Sequence, residues 1–420
     1  QLGDSTIRFG LDRLSRVMAR LGRPQEACPA VLIAGTNGKG SVAAMMASVL
    51  QAAGLRTGLY TSPHLVDLRE RIQVDGRWIG EEAFARHIRE IRAALAGESL
   101  TYFEFLTAAA FLEFHRTRAD VAVLEVGMGG RLDATNLVRA PVVSVITTIG
   151  LEHTAYLGRA LRDIAGEKAG ILRERGACIT AVRQPPVLRV LEESCRRMQA
   201  TLFRLGRDFS ARSPAPGSFS YRGRLWEERA LPCPLRGRHQ VDNAAMALAA
   251  LEVLAERGFP VSPPDIRAGL AATRWEGRME TIAGAPRVML DGAHNPAAVS
   301  ALCRTLKREA AGIRTVFLFG ALRDKDAASM FRKMRGVASG VVITETPSER
   351  GRPAEELGRL ASRLLPVPVE TCPNLREGLE KARKAAGERG LVCVTGSLYL
   401  VGAVKKLFLP AAEYDTDTPP

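Results

Sequence analysis

Short apolar runs alternate with amphipathic stretches of helical period from one end of the chain to the other. Runs of four to eight aliphatic residues bounded by turn residues are too short for core helices and read as strands buried on both faces. Strands separated by helical segments pair in parallel, because each crossover returns the chain to the same end of the sheet. On this reading 31–34, 121–126 and 142–149 are strands of a first sheet, and 41–53 is the first crossover helix, ending near Gly54. Proline, glycine, serine and aromatic residues cluster over 209–234, which reads as a small β excursion, and helical periodicity resumes over 240–257. A second α/β alternation starts near Val288, with strands expected at 288–290, 315–319, 341–344 and 391–394. The boundary is placed at the Gly/Pro-rich Ala283-Gly284, giving units 1–283 and 284–420.

Two units also suit the length, since 420 residues exceed what one hydrophobic core ordinarily serves. The apolar runs, such as 142–146, fall far short of the ~20 residues of a membrane-spanning helix. No export pattern opens the chain, so a cytoplasmic protein without membrane partners is expected. Gln1 precedes a helix-like pattern, which suggests a trimmed N-terminus, and residues 413–420 read as a frayed tail. Seven scattered cysteines, none spaced for zinc, read as reduced thiols. The net charge of +14 is spread along the chain without a basic run interleaved with aromatics. That pattern favours a field attracting anionic substrates, or a bias toward arginine, over nucleic-acid binding.

The strongest local signal is Gly35-Thr36-Asn37-Gly38-Lys39-Gly40-Ser41, after a strand and before a helix. Glycines let backbone N–H groups face phosphate, the helix N-terminus adds a favourable dipole, and a lysine reaches the β- and γ-phosphates. The literal P-loop pattern fails: its first glycine would fall on Ile33, and Gly40 stands where Ser or Thr should follow the lysine. Glu125 closes a strand ahead of Gly127-Met128-Gly129-Gly130, where a carboxylate could hold Mg²⁺ or serve structure alone. His153 follows the next strand, but imidazole is a poor Mg²⁺ ligand, so its chemistry leaves the role open. Lys168, by sequence, reads as a snorkelling surface residue. Asp291-Gly292-Ala293-His294-Asn295-Pro296 is a turn in its own right, and His294 could be a general base or a turn stabiliser.

Taken together, these residues resemble the folylpolyglutamate synthase and dihydrofolate synthase family of the Mur ligase superfamily. The likeness runs through Phe9-Gly10-Leu11-Asp12-Arg13, the GTNGKGS loop, Tyr60 to Leu65, Phe103-Glu104-Phe105 and Glu125 to Asn136. It continues through Ile149 to Gly158, Gly166 to Ile171, His239-Gln240, Asn243-Ala244, Gly277-Arg278, Asp291 to Pro296 and Val394 to Tyr399. The fold it implies is α/β: a P-loop-containing, parallel-sheet ATPase domain of Mur ligase type, then a smaller Rossmann-like domain.

The activity it implies is ATP-dependent ligation of L-glutamate to dihydropteroate, or to the γ-carboxylate of a reduced folate, by way of an acyl phosphate. The resemblance assigns ATP to Asn37, Gly38, Lys39, Gly40, Ser41, Asn243, Arg278 and Asp291. It assigns Mg²⁺, at two sites, to Ser62, Glu125, His153 and a carbamylated Lys168, with a monovalent cation such as K⁺ as a further candidate. Gly10, Leu11, Asp12 and Arg13, taken as a turn, would border the pteridine-bearing substrate together with Phe103, Glu104 and Asp133. Lys39, Lys168, Arg278 and His294 would serve catalysis, in a monomer. Glu152 stands where the family usually has Asp, Ala155 replaces a common acidic residue, and Glu276 replaces a common proline. A peptidoglycan Mur ligase is the nearest rival, and Phe103-Glu104-Phe105 with Ser62-Pro63-His64 speaks for the folate branch. A non-ligase P-loop nucleotide-binding protein would leave Asp291 to Pro296 without a task.

Overall fold

The computed structural model describes residues 10–409, so Phe9 and the expected tail 413–420 lie outside the described residues. The first sheet holds β1 (Ala30–Ala34), β2 (Thr57–Tyr60), β3 (Ile72–Val74), β4 (Arg77–Trp78), β5 (Val121–Glu125), β6 (Val143–Ile146), β7 (Ala177–Thr180) and β8 (Thr201–Arg204). Their order is β4-β3-β2-β5-β1-β6-β7-β8, parallel from β2 to β8, with β3 and β4 added antiparallel at one edge. Successive side chains of β1 enter opposite cores, as the pleat requires: Leu32 joins the cluster containing Phe105 and Phe111, while Val31 and Ile33 join Met45 and Leu248. The central strands are therefore apolar without a break.

The expected strand 142–149 closes at Ile146. Beyond it the chain turns to place Thr147, Thr148 and Gly150 against the loop after β1, so those residues line the site instead of pairing. The β excursion is a separate antiparallel sheet of β9 (Ser210–Ala215), β10 (Ser218–Arg222) and β11 (Glu227–Pro232). The helix Arg238–Glu256 lies between this sheet and the first one, which is why it is alanine-rich and buried nearly all round. Its buried Glu252 accepts the backbone N–H groups of Arg224, Leu225 and Trp226, fastening the β10–β11 loop to the helix.

The second sheet contains β12 (Glu280–Ala283), β13 (Arg287–Leu290), β14 (Thr315–Phe319), β15 (Gly340–Ile343), β16 (Val369–Thr371) and β17 (Leu391–Thr395), in the order β12-β13-β17-β14-β15-β16. β12 pairs antiparallel with β13, so Ala283-Gly284 lies inside a hairpin of this sheet and the sheet begins at Glu280. The expected boundary thus falls four residues inside the second unit: the glycine and proline there serve a turn, not a linker. The outermost strands of the two large sheets, β4, β8, β12 and β16, are two to four residues long. Among the described residues, no helix is long and apolar enough to cross a membrane. All seven cysteines are free, and six are buried.

Candidate active site

β1 sits where the chain order reverses, with β5 on one side and β6 on the other, and the loop leaving such a strand opens into a crevice. Gly35 lies at φ +146° with its α-carbon against the Thr147 hydroxyl, leaving no room for a side chain. The Asn37 carbonyl accepts the hydroxyls of Thr147 (2.8 Å) and Thr148 (3.2 Å), which fixes the loop to the end of β6. Gly38, at φ +92°, precedes the helix Lys39–Ala52, whose first N–H groups have no side-chain cap and face the cavity. A β-carbon at Gly40 would stand 2.7 Å from the Trp275 ring, which explains why no Ser or Thr follows the lysine. Lys39 Nζ lies 3.9 Å from Glu125 Oε1.

The cavity beside this loop, of ≈ 490 Å³, lies between the two sheets and is lined from both. Glu125 is buried and accepts the Ser62 N–H at 3.1 Å. Burial raises its carboxyl above the usual range against the pull of Lys39, that N–H and Arg278. Glu152 goes the other way: burial is outweighed by the His153 hydrogen bond and the charges of Lys39 and Lys168, so its carboxyl is held well below the usual range. His153, in the left-handed region at φ 49°, sets its Nε2 3.1 Å from Glu152 Oε1, while Glu152 Oε2 is buried without a partner.

Lys168 is 3 % exposed and donates to the Gly35 carbonyl at 2.9 Å, which overturns the surface reading of this residue. Burial, with the charge of Lys39, pushes its amine down to about 8. The neutral form is therefore a minority species at pH 7, but far commoner than for an exposed lysine. Lys168 lies beneath the phosphate loop and does not itself line the cavity.

Of the four expected metal residues, Ser62 and Glu125 stand together, His153 pairs with Glu152 and Lys168 lies beneath, and among the described residues no three His, Cys, Asp or Glu side chains form a preassembled metal cluster. That arrangement fits Mg²⁺ all the same. The ion keeps few protein ligands and takes the rest from phosphate and water, and the unpartnered Glu152 oxygen is a buried acceptor waiting for a cation.

The opposite wall comes from the second unit and the chain leading into it. Arg278 donates to the Gly277 carbonyl at 3.0 Å. Asp291 accepts the N–H groups of Met279 and Ala293, each at 3.0 Å, and burial raises its carboxyl against Arg278. His294 Nδ1 lies 2.8 Å from the Gly292 carbonyl. A carbonyl only accepts, so Nδ1 carries the proton and Nε2 is left as the acceptor. Burial and Lys325 push this imidazole down to about 4, so it is neutral at pH 7. Asn243 is held by Gln240 at 2.9 Å and closes the cavity beside Gly38.

None of the expected acceptor residues lines the cavity, although Phe103 and Asp133 stand against the Gly127–Gly130 loop at its edge. Asp12 and Arg13 do not form a turn. They open the helix Asp12–Arg20, with Leu11 at its N-cap and Gly10 at φ +125° ahead of it. Arg13 pairs with Glu104 at 3.2 Å, and Glu104 also closes the capping box of the helix Tyr102–Arg116 with Thr101. Phe103 covers Gly127 and tilts against the Tyr60 ring at 5.9 Å. Asp133 offers no free carboxylate: it accepts the N–H groups of Met128 and Thr135 and the Thr135 hydroxyl at 2.6 Å. It braces the glycine loop.

Sequence reasoning gave no role to Trp275, His239, Lys325, Arg350 or Asn295. Lys325 and Arg350 line the far end of the cavity from loops beyond β14 and β15, a position that strand counting could have flagged. Trp275 and Asn295 act through contacts far apart in sequence, for which no local signal exists.

Two family models match this chain: the Mur ligase middle domain over residues 33–251 and the Mur ligase glutamate ligase domain over 277–398. The Bacillus subtilis dihydrofolate synthase/folylpolyglutamate synthase is 35% identical over 416 residues, covering 95% of each chain. The chain belongs to this Mur ligase family. The Mycobacterium tuberculosis dihydrofolate synthase/folylpolyglutamate synthase is 37% identical, over 96% of this chain and 91% of its own. Among solved structures, Escherichia coli FolC in complex with DHPP and ADP superposes with a TM-score of 0.89 at 34% identity, over 97% of this chain and 95% of that one. A bifunctional folylpolyglutamate synthase/dihydrofolate synthase with Mn, AMPPNP and L-glutamate bound gives 0.86 at 32%, over 97% and 96%. As a member of this Mur ligase family, the chain is an ATP-dependent carboxylate–amine ligase that uses a divalent metal.

Proposed function

We propose that this ligase attaches L-glutamate both to dihydropteroate and to the γ-carboxylate of reduced folates. The observation that carries the reading is one cavity lined by the phosphate loop with Lys39 and Glu125 on one wall and by Arg278, Asp291 and His294 on the other. An acceptor carboxylate oxygen attacks the γ-phosphorus of ATP, and the bond to the β-phosphate oxygen breaks to release ADP. The amine of glutamate then attacks the acyl carbon, the bond to the phosphate oxygen breaks, and the amine loses a proton. His294 Nε2, neutral and unprotonated at pH 7, is the acceptor available for that proton.

Both steps gather negative charge, so Lys39, Arg278 and the N–H groups of the helix Lys39–Ala52 act by placing positive potential there before reaction. Loss of one such stabiliser typically costs on the order of 10²–10³ in rate. Bound Mg²⁺ supplies neutralisation of phosphate oxygens, and Ser62, Glu125 and His153 would hold it at two sites together with Lys168 as a carbamate. The buried, depressed amine of Lys168 supports that modification, since only a neutral amine attacks CO₂. A monovalent cation such as K⁺ completes the proposed set of ions.

Gly10, Leu11, Asp12, Arg13, Phe103 and Glu104 shape the pteridine wall, with Asp133 acting through the loop it braces. The two acceptors differ in length, so one reacting point requires two pteridine positions. Incorporation of labelled glutamate, dependent on ATP, is expected with dihydropteroate and with tetrahydrofolate. Turnover with neither acceptor would refute the folate reading, and turnover with tetrahydrofolate alone would reduce it to tail extension. Lys168→Ala should nearly abolish turnover, and intact mass should show a bicarbonate-dependent carbamate in the unmutated protein.

A further inference from the structure

Asn37 and Asn295, 258 residues apart, face each other as a reciprocal amide pair. Asn295 Nδ2 donates to Asn37 Oδ1 at 2.8 Å, and Asn37 Nδ2 donates to Asn295 Oδ1 at 3.3 Å. Each partner is anchored within its own unit. Asn37 is held by the Thr147 and Thr148 hydroxyls at the end of β6. Asn295, 7 % exposed, caps the helix Pro296–Glu309 by accepting the Ala298 N–H at 2.9 Å.

We propose that Asn295 is a positioning residue that locks the second unit onto the phosphate loop, setting His294 and Arg278 at a fixed distance from the γ-phosphate. Other seams between the units include Leu65 against Gly402 and Val401, Lys405 with Glu276 at 2.7 Å, and Arg236 with Glu309 at 2.8 Å. The partly exposed Arg236–Glu309 pair is of the kind worth little, and the apolar seam fixes no register along the loop. The amide pair does fix it, because both bonds form only when the two planes meet edge to edge. It is also the seam nearest the reacting phosphate, since Asn37 is itself part of the loop.

This inference rests on the ligase reading, and its test separates the two. Asn295→Ser keeps an N-cap acceptor for Ala298 but is too short to reach Asn37, so it removes the lock and leaves the helix start intact. The urea midpoint and the affinity for a non-hydrolysable ATP analogue should stay at the unmutated values. The kcat/KM for glutamate should fall about tenfold, about 1.4 kcal/mol, to the same extent with each acceptor. The radius of gyration with the analogue bound should rise. Asn37→Ala combined with Asn295→Ser should be no worse than the poorer single variant, because the two act as one contact. Unchanged kinetics in Asn295→Ser would overturn the proposal. So would losses that multiply in the double variant, which would mean that Asn295 touches substrate on its own account. Absence of turnover in the unmutated protein would instead refute the ligase reading.

Discussion

Adding a single methyl group at position 40 tests whether Trp275 dictates the composition of the phosphate loop. Gly40 is the second residue of the helix Lys39–Ala52 and has an ordinary helical backbone, so no conformational penalty opposes a side chain there. On propensity alone Gly40→Ala should stabilise the helix by about 1 kcal/mol. Space argues the other way. The new β-carbon would meet Trp275 Cζ2 at 2.7 Å and two further ring atoms at 3.1 Å, closer than carbon atoms pack, and the partner is a rigid ring. Forcing a methyl into such a contact costs about 1–3 kcal/mol. The net expectation is a loss of stability of up to about 2 kcal/mol, together with a displaced loop and weaker binding of an ATP analogue. Truncating the ring removes the cost and leaves the propensity gain, so in a Trp275→Leu background Gly40→Ala should stabilise by about 1 kcal/mol. Urea unfolding of the four proteins, with calorimetry of analogue binding, measures both terms. Stabilisation of the same size in both backgrounds would refute the argument that the indole fixes this residue.

Glu125→Gln should leave the thermal midpoint near that of the unmutated protein, because the amide keeps the shape and an acceptor for the Ser62 N–H, while a Mg²⁺ titration of activity moves to higher concentration. An unchanged Mg²⁺ dependence would remove Glu125 from the ligand set. Asp133→Ala strips the acceptor from Met128 and Thr135, each buried group costing about 1–3 kcal/mol. It should therefore destabilise by several kcal/mol and impair dihydropteroate use more than tetrahydrofolate use, since the braced loop adjoins the proposed pteridine wall. Equal loss with both acceptors would end the selective role. His239 and His294 are both pushed down to about 4 by burial, below the ordinary 6.5. As pH falls, the unfolded chain takes up these protons first, so the stability they contribute is complete above about 6.5 and drains away toward 4. Urea midpoints at pH 7.5, 6 and 5 should decline, and His239→Asn should flatten part of that decline. A slope indifferent to the substitution would contradict it.

The strands and crossover helices were legible because burial on both faces writes continuous apolar runs, as at β5 and β14. The phosphate loop was legible because its glycines and lysine are adjacent in sequence. Lys168 was not: an isolated lysine looks the same whether it meets water or the Gly35 carbonyl, and only the fold decides. The resemblance places Asp12 and Arg13 in a turn after Gly10, whereas the apolar face of Leu14, Val17 and Met18 draws them into a helix. Asp133 shows a further limit. A carboxylate beside a glycine-rich loop looks available for a ligand, and its hydrogen bonds to Met128 and Thr135 become visible only when the loop closes on it. Trp275, Asn295 and Glu252 act across distances in sequence that no periodicity reports.

The brevity of the outermost strands of the two large sheets bears on where the protein could join another copy when crowded. A free edge of two to four residues gives another chain too few unpaired N–H and C=O groups to template growth, and Arg77 and Arg204 place charge on two of those edges. Association strand to strand on heating should therefore not begin at the edges of the two large sheets while those sheets hold together.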